Sequence, residues 1–240
     1  MSRQRSLIQA EWRHLVMFNY EVEPALLKPF VPAGTELDAW QSKTFLSIVG
    51  FQFNDLRVFG VPVPFHSSFE EVNLRHYVRR EVDGEVRHGV SFIKEIVPRR
   101  AITAGARLLY NEPYATAAMG HTGDDARSLT YSLRLHDAAG CLQFASDSPT
   151  QPLAPGSIEE FICEHYYGYT AQRDGSTLEY EVAHPPWNTA PAREALFEGD
   201  PGRLFGSCFV EALSREPSSV FYAEGSEVEV FLGKRIPASG

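Results

Sequence analysis

Polar and apolar residues alternate with period two through Glu71-Val72-Asn73-Leu74-Arg75-His76-Tyr77-Val78. An extended strand here projects Glu71, Asn73, Arg75 and Tyr77 from one face and Val72, Leu74 and Val78 from the other. The run ends at Asp83-Gly84, a pair suited to the positive φ angles of a tight hairpin turn. His88 to Val97 then reads as the antiparallel partner, and strict alternation gives Lys94 the parity of Val90, Phe92 and Ile96, an apolar face. Upstream, Trp40 to Phe53 is largely apolar at both parities, with Phe45, Ser47, Val49 and Phe51 against Thr44, Leu46, Ile48 and Gly50. That pattern predicts a strand covered on both faces. Asn54 to Ser68, with Gly60, Pro62 and Pro64, reads as a connection.

Further along, Ile102, Ala106, Leu109 and Tyr110 recur at helical spacing between Pro98 and Pro113. Strands are expected around Leu129 to Leu135 and Cys141 to Ser146, joined through Asp137 to Gly140. Ser157-Ile158-Glu159-Glu160 is a capping box that launches a short helix through Cys163 and His165. Thr177 to Val182 resumes strand alternation, Gly202 to Leu213 suits a helix, and Ser219–Ala223 with Glu227–Phe231 reads as a terminal hairpin. Many short strands, few helices and frequent Gly/Pro turns predict a mainly β (α+β) fold. Its architecture would be an antiparallel barrel or strongly curved sheet, able to enclose a ligand cavity.

At 240 residues with no repeat or low-complexity tract, residues 1–240 are expected to form a single domain. Apolar runs such as Val58 to Phe65 are too short to cross a bilayer, and Ile8 to His14 interrupts any signal-peptide segment. A cytoplasmic protein without membrane partners is therefore expected. The net charge of -9, with no dense basic stripe apart from Arg79-Arg80 and Arg99-Arg100, argues against nucleic acid as a partner. Cys141, Cys163 and Cys208 are odd in number and set among apolar neighbours, as reduced core thiols are. No CxxC or HxxxH occurs, so no sequence-local metal site is expected, although the eight histidines are free to meet in space. Phosphate loops, dinucleotide fingerprints and a nucleophile elbow around Ser91 are absent, and no cofactor is implied.

The chemistry concentrates in the Glu71 row. A carboxylate, an amide, a guanidinium and a phenol on one strand face can grip a small polar or carbonyl-bearing ligand. A solvated face or a structural hydrogen-bond ladder would use the same residues. His165, Tyr167 and Tyr169 share a face if extended, or His165 sits in a last helical turn. His184-Pro185-Pro186-Trp187 reads as an aromatic plug closing a strand, with pocket contact the other option.

Phe69 to Val78, Gly89-Val90-Ser91-Phe92, Gly105-Ala106-Arg107, Pro113-Tyr114, Glu164 to Thr170, Tyr180 to Trp187 and Gly225-Ser226 together resemble the YqjF-like family of uncharacterised bacterial proteins. The resemblance runs from about Trp12 to Phe231 and implies a fold like that of acetoacetate decarboxylase, a closed, cone-like β-barrel with an interior pocket. Decarboxylases of that kind use a Schiff-base lysine activated by a second lysine. This chain has Lys28, Lys43, Lys94 and Lys234, and the residue after Lys94 is Glu95, so the paired-lysine motif is missing. Two readings follow. In one, the pocket turns over a small oxo acid, with Lys94 as imine former, Glu71 as acid or base and Arg75 as carboxylate clamp. In the other, Arg75, Asn73 and Tyr77 hold a small molecule without reaction. A homo-oligomer is compatible with either.

Overall fold

The computed structural model describes residues 6–64, 67–99, 103, 111 and 113–238. Its strands are β1 (Ser6–Val22), β2 (Glu36–Leu37), β3 (Thr44–Val58), β4 (Val61–Pro62), β5 (Phe69–Val82), β6 (Glu85–Val97), β7 (Tyr114–Thr116) and β8 (Ala118–Asp125). They continue with β9 (Ser128–Leu135), β10 (Ala138–Ala145), β11 (Tyr167–Ala171), β12 (Thr177–Ala183), β13 (Thr189–Pro191), β14 (Glu194–Gly199), β15 (Ser219–Phe231) and β16 (Lys234–Ile236). In the main sheet β15, β1, β3, β5, β6, β11 and β12 are successive neighbours, and β12 pairs back onto β15 through Val182↔Val230 and Ala183↔Glu229. The sheet therefore closes on itself, as the strand pattern predicts. Two joints depart from the antiparallel expectation, both on β6: β11 runs parallel to it, with Tyr167 opposite Gly89 and Gly168 opposite Val90, and so does β7, with Tyr114 opposite Glu95.

A second sheet, β14-β10-β9-β8, covers part of the ring from outside. Its alternating inner residues Leu129, Tyr131, Leu133, Leu142 and Phe144 pack on Val16, Phe18, Ile48, Val72, Leu74 and Ile96 of the ring. A separate cluster fills the ring's interior, including Leu15, Met17, Val49, Phe51, Tyr77, Val90, Ile162 and Trp187. The ring wall is buried on both faces here, which explains why β3 reads apolar at both parities. It also gives the two faces of β5 different neighbours. Val72 and Leu74 seal the sheet-to-sheet contact, while Glu71, Asn73 and Arg75 turn inward beside Phe51, Val49 and Ser47.

Several expected elements change in the structure. The hairpin at Asp83-Gly84 is present, with φ of 53° and 83°. Between β5 and β6, however, Leu74 faces Lys94 while the next residue, Arg75, faces Phe92. This β-bulge inserts Ile93 and reverses the parity beyond it. Lys94 thus shares the outer side with Leu74, and Glu95 takes the inward place opposite Asn73. The terminal hairpin is instead one strand, β15, paired with β1 along its length. Gly225, at φ 77°, lets that strand pass the Trp12 carbonyl at a distance no Cβ would tolerate. The helix expected over Gly202–Leu213 breaks into Pro201–Leu204, Ser207–Phe209 and Val210–Leu213 around Gly206 at φ 127°. The capping-box helix spans Ile158–Cys163, with Ser157 accepting from the Glu160 amide, and leaves His165 beyond its end. Asn54–Ser68 is not all connection, since β3 runs to Val58 and turns into β4. Ile102, Ala106, Leu109 and Tyr110, which carry the predicted helix between Pro98 and Pro113, lie outside the described residues. Of the cysteines, Cys163 is buried, Cys141 is partly covered and Cys208 is exposed, so only the first fits a core thiol fully. No described helix is long and apolar enough to cross a membrane.

Candidate functional site

The ring encloses a cavity of about 330 Å³. Its walls are mainly apolar and aromatic, with Trp12, Phe51, Phe92, Tyr114, Tyr167, Tyr180 and Trp187 among them. Into this lining project Glu71, Asn73, Arg75, Glu95, His165 and His184. A few convergent polar groups in an apolar hollow are the usual makeup of a small-molecule site.

Strand parity on β5 delivers the first three. Glu71 is 2% exposed, and its carboxylate accepts from Asn73 Nδ2 at 3.0 Å and from the Tyr114 hydroxyl at 3.2 Å. Glu95 stands opposite Asn73, so two carboxyl groups line one cavity. Arg75 differs from them in its partners. Its Nη2 donates to the Ile162 carbonyl at 3.4 Å and lies 4.0 Å from Met17 Sδ, and its Cζ sits 5.6 Å from the centre of the Tyr77 ring. Arg75 Nε makes no hydrogen bond, and no ion pair joins the guanidinium among the described residues. Tyr77 lies beneath it and off the cavity lining, with its hydroxyl engaged with Ser47 Oγ at 2.8 Å.

Of the residues expected from sequence, the structure brings Glu71, Asn73 and Arg75 together on the cavity wall, sets Tyr77 behind them, and leaves Lys94 out. Burial against the outer face lowers the Lys94 ammonium pKa, yet neither Lys94 nor its neighbour Leu74 touches the cavity. Lys28, Lys43 and Lys234 are absent from its wall as well. The expectation that Lys94 points inward fails because the Ile93 bulge reverses parity, which spacing alone does not reveal.

Two histidines join the wall from other elements. His184, just after β12, stacks on Trp187 with ring centres 4.2 Å apart and planes 17° apart, and packs on Tyr166 at 4.8 Å. Its Nδ1 faces the Pro185 carbonyl at 2.9 Å. Trp187 is itself anchored, donating from Nε1 to Ser226 Oγ at 2.9 Å. Burial lowers the His184 pKa; the Pro185 hydrogen bond opposes this, and the Arg75 charge adds to the lowering. His165, held against Tyr77 at 4.9 Å between ring centres, directs Nε2 to Asp38 Oδ2 at 3.2 Å. His88 Nδ1 meets the same oxygen at 2.5 Å. Burial pushes the Asp38 carboxyl up, but the hydrogen bonds from His165 and His88 overcome this and hold it far below the usual carboxylate range. Burial likewise lowers His165, whereas the Asp38 hydrogen bond raises the more exposed His88.

Asp38, His88 and His165 bring their ligand atoms within 4.8 Å of one another, so histidines do meet in space as a group able to hold a metal ion. Both imidazoles converge on one oxygen at hydrogen-bonding distances, however, which is the arrangement of a His–Asp–His network. Sequence reasoning missed Asp38, His88 and Glu95 as neighbours of the site. For the His184-Pro185-Pro186-Trp187 segment, the option of pocket contact holds, since His184 and Trp187 both line the cavity.

Residues 9–227 match the family described as "Uncharacterized conserved protein". The "Uncharacterized protein YqjF" of Bacillus subtilis (strain 168) is 26% identical over 185 residues, 75% of this chain and 74% of that protein. Among solved structures, acetoacetate decarboxylase from Legionella pneumophila superposes with a TM-score of 0.70 at 16% identity, covering 96% of this chain and 87% of that one. An acetoacetate decarboxylase-like enzyme from Sphingomonas wittichii RW1 gives 0.65 at 13%, covering 98% and 94%. The enduracididine biosynthesis enzyme MppR, complexed with pyruvate, gives 0.60 at 14%, covering 99% and 93%. These likenesses show the fold, which is acetoacetate decarboxylase-like.

Proposed function

The chain belongs to the DUF2071 family of uncharacterized conserved proteins, and from that premise we propose that its barrel takes up a small, mainly apolar organic acid without covalent attachment. The observation that carries this reading is Arg75, a guanidinium on an apolar cavity wall with no ion-pair partner among the described residues and a free Nε. With Glu71 and Glu95 on the same wall but neither in direct contact with it, such a cation gains from an anion that reaches its free donors. A carboxylate does this best, through short charge-assisted hydrogen bonds, while the aromatic lining receives the rest of the molecule. The cavity volume of about 330 Å³ suits a compact metabolite. Pyruvate bound in MppR, a protein of the same fold, supports the ligand class. An imine mechanism finds no support, since none of the four lysines lines the cavity.

Titration with phenylpyruvate and with phenylacetone, which lacks the carboxylate, tests the proposal. Trp12 and Trp187 in the wall make ligand entry visible as a fluorescence change. Tighter binding of the acid is expected; equal affinity for both, or binding of neither, would count against it.

A further inference from the structure

We propose that His184 is a general base which removes a proton from the carbon beside the carbonyl of a 2-oxo acid held by Arg75. This rests on the acid-binding reading of the same cavity and adds a reaction to it.

The ring is built for such a role. The Pro185 carbonyl can only accept, so Nδ1 carries the hydrogen and the lone pair belongs to Nε2. Nε2 has no hydrogen-bond partner among the described residues, while the ring itself lines the cavity. Trp187 on one side and Tyr166 nearby hold the imidazole in place, and Trp187 is in turn tied to Ser226. A base whose orientation is set before the substrate arrives loses little on reaching the transition state. Charged and titratable groups around it are Arg75 from β5, and Tyr166, whose hydroxyl donates to Glu164 Oε2 at 2.6 Å. Burial and Arg75 favour the neutral imidazole, the form that can accept a proton.

In the step itself the C–H bond breaks and its proton forms Nε2–H. The electron pair moves onto the carbonyl oxygen as an enolate, a negative charge that Arg75 shares with the carboxylate. Return of the proton to carbon completes an exchange, and return to oxygen completes a keto–enol tautomerisation. Neither needs another reactant.

The experiment follows deuterium entry at carbon 3 of 2-oxobutyrate and phenylpyruvate in D2O by proton NMR, beside a fluorescence Kd for each probe. Wild-type protein should exchange the position faster than buffer, with a rate that rises as pH climbs through the His184 pKa. His184→Gln should lower the protein-dependent rate by about 10²-fold or more and erase that pH limb, while Kd moves little. His184→Ala, with room left over Trp187, should regain exchange on addition of imidazole. Binding without protein-dependent exchange, or exchange unchanged in His184→Gln, overturns the base and leaves the acid site standing. If neither probe binds, both readings fall.

Discussion

Replacing Arg75 by Gln separates ligand binding from folding. In the folded protein the guanidinium makes one long hydrogen bond, 3.4 Å to the Ile162 carbonyl, and a contact over the Tyr77 ring. Losing them costs about 1–2 kcal/mol at most, and removal of a desolvated charge that has no direct ion-pair partner offsets part of it. A Gln amide also keeps a donor on that side. Stability in urea should therefore shift by less than about 1 kcal/mol. Ligand affinity depends on different terms. Charge-assisted hydrogen bonds to a carboxylate are worth about 1.5–3 kcal/mol, so Arg75→Gln should raise the Kd for phenylpyruvate by roughly 10- to 150-fold. Affinity for phenylacetone should stay where it was, because that probe has no carboxylate to lose. Fluorescence titration confirmed by calorimetry gives the acid-to-ketone ratio in both proteins. A variant that retains the wild-type ratio would refute the anchoring role of Arg75, and a variant that unfolds would show that its contacts to Ile162 and Tyr77 carry more of the fold than this.

Lys94→Ala should leave acid binding unchanged, and borohydride treatment with 2-oxo acids should give no adduct at Lys94 by peptide mass mapping; an adduct there would show that the outer face is not where this amine reacts. Gly89→Ala should destabilise the protein by about 1–3 kcal/mol or more in urea unfolding, because a Cβ would lie 2.5 Å from the Tyr167 carbonyl on the parallel joint. Wild-type stability against that variant would mean the β6–β11 contact is looser than described. Acid should weaken the fold in two stages through the Asp38 network. His165, lowered in the folded state, resists protonation and loses stability as pH falls below its ordinary 6.5, and Asp38, also lowered, loses more as pH falls below 3.8. His88, raised, acts oppositely: its contribution is full below 6.5 and fades as pH rises through its folded value. Asp38→Asn should flatten the stability profile below pH 3.8, as read by thermal melts across pH; an unchanged acid limb would place the sensitive carboxylate elsewhere.

The strand character of Glu71–Val78, the turn at Asp83-Gly84 and the β9 and β10 strands were legible because each depends on residues a few positions apart. β1 was not foreseen, although it holds the ring between β15 and β3. Its composition carries no turn-bounded alternation, and it owes its 17-residue length to partners on both sides. The terminal strand was misread as a hairpin for a similar reason. Gly225 looks like a turn in isolation, and only the Trp12 carbonyl across the sheet shows it to be a close approach.

By itself, then, the amino-acid order determined that Glu71, Asn73 and Arg75 share a face, because side-chain parity on a strand is a local property of the backbone. Tertiary structure decided what that face meets. The second sheet claimed the opposite side, which sent the polar row inward. One bulged residue, Ile93, exchanged Lys94 for Glu95 on the wall and thereby removed the amine from the cavity. His184, more than a hundred positions away and just past the end of β12, reached the site of Arg75 through the pairing that closes the ring. Such meetings depend on register and closure, which are set by the summed packing of many distant residues rather than by any one segment's pattern.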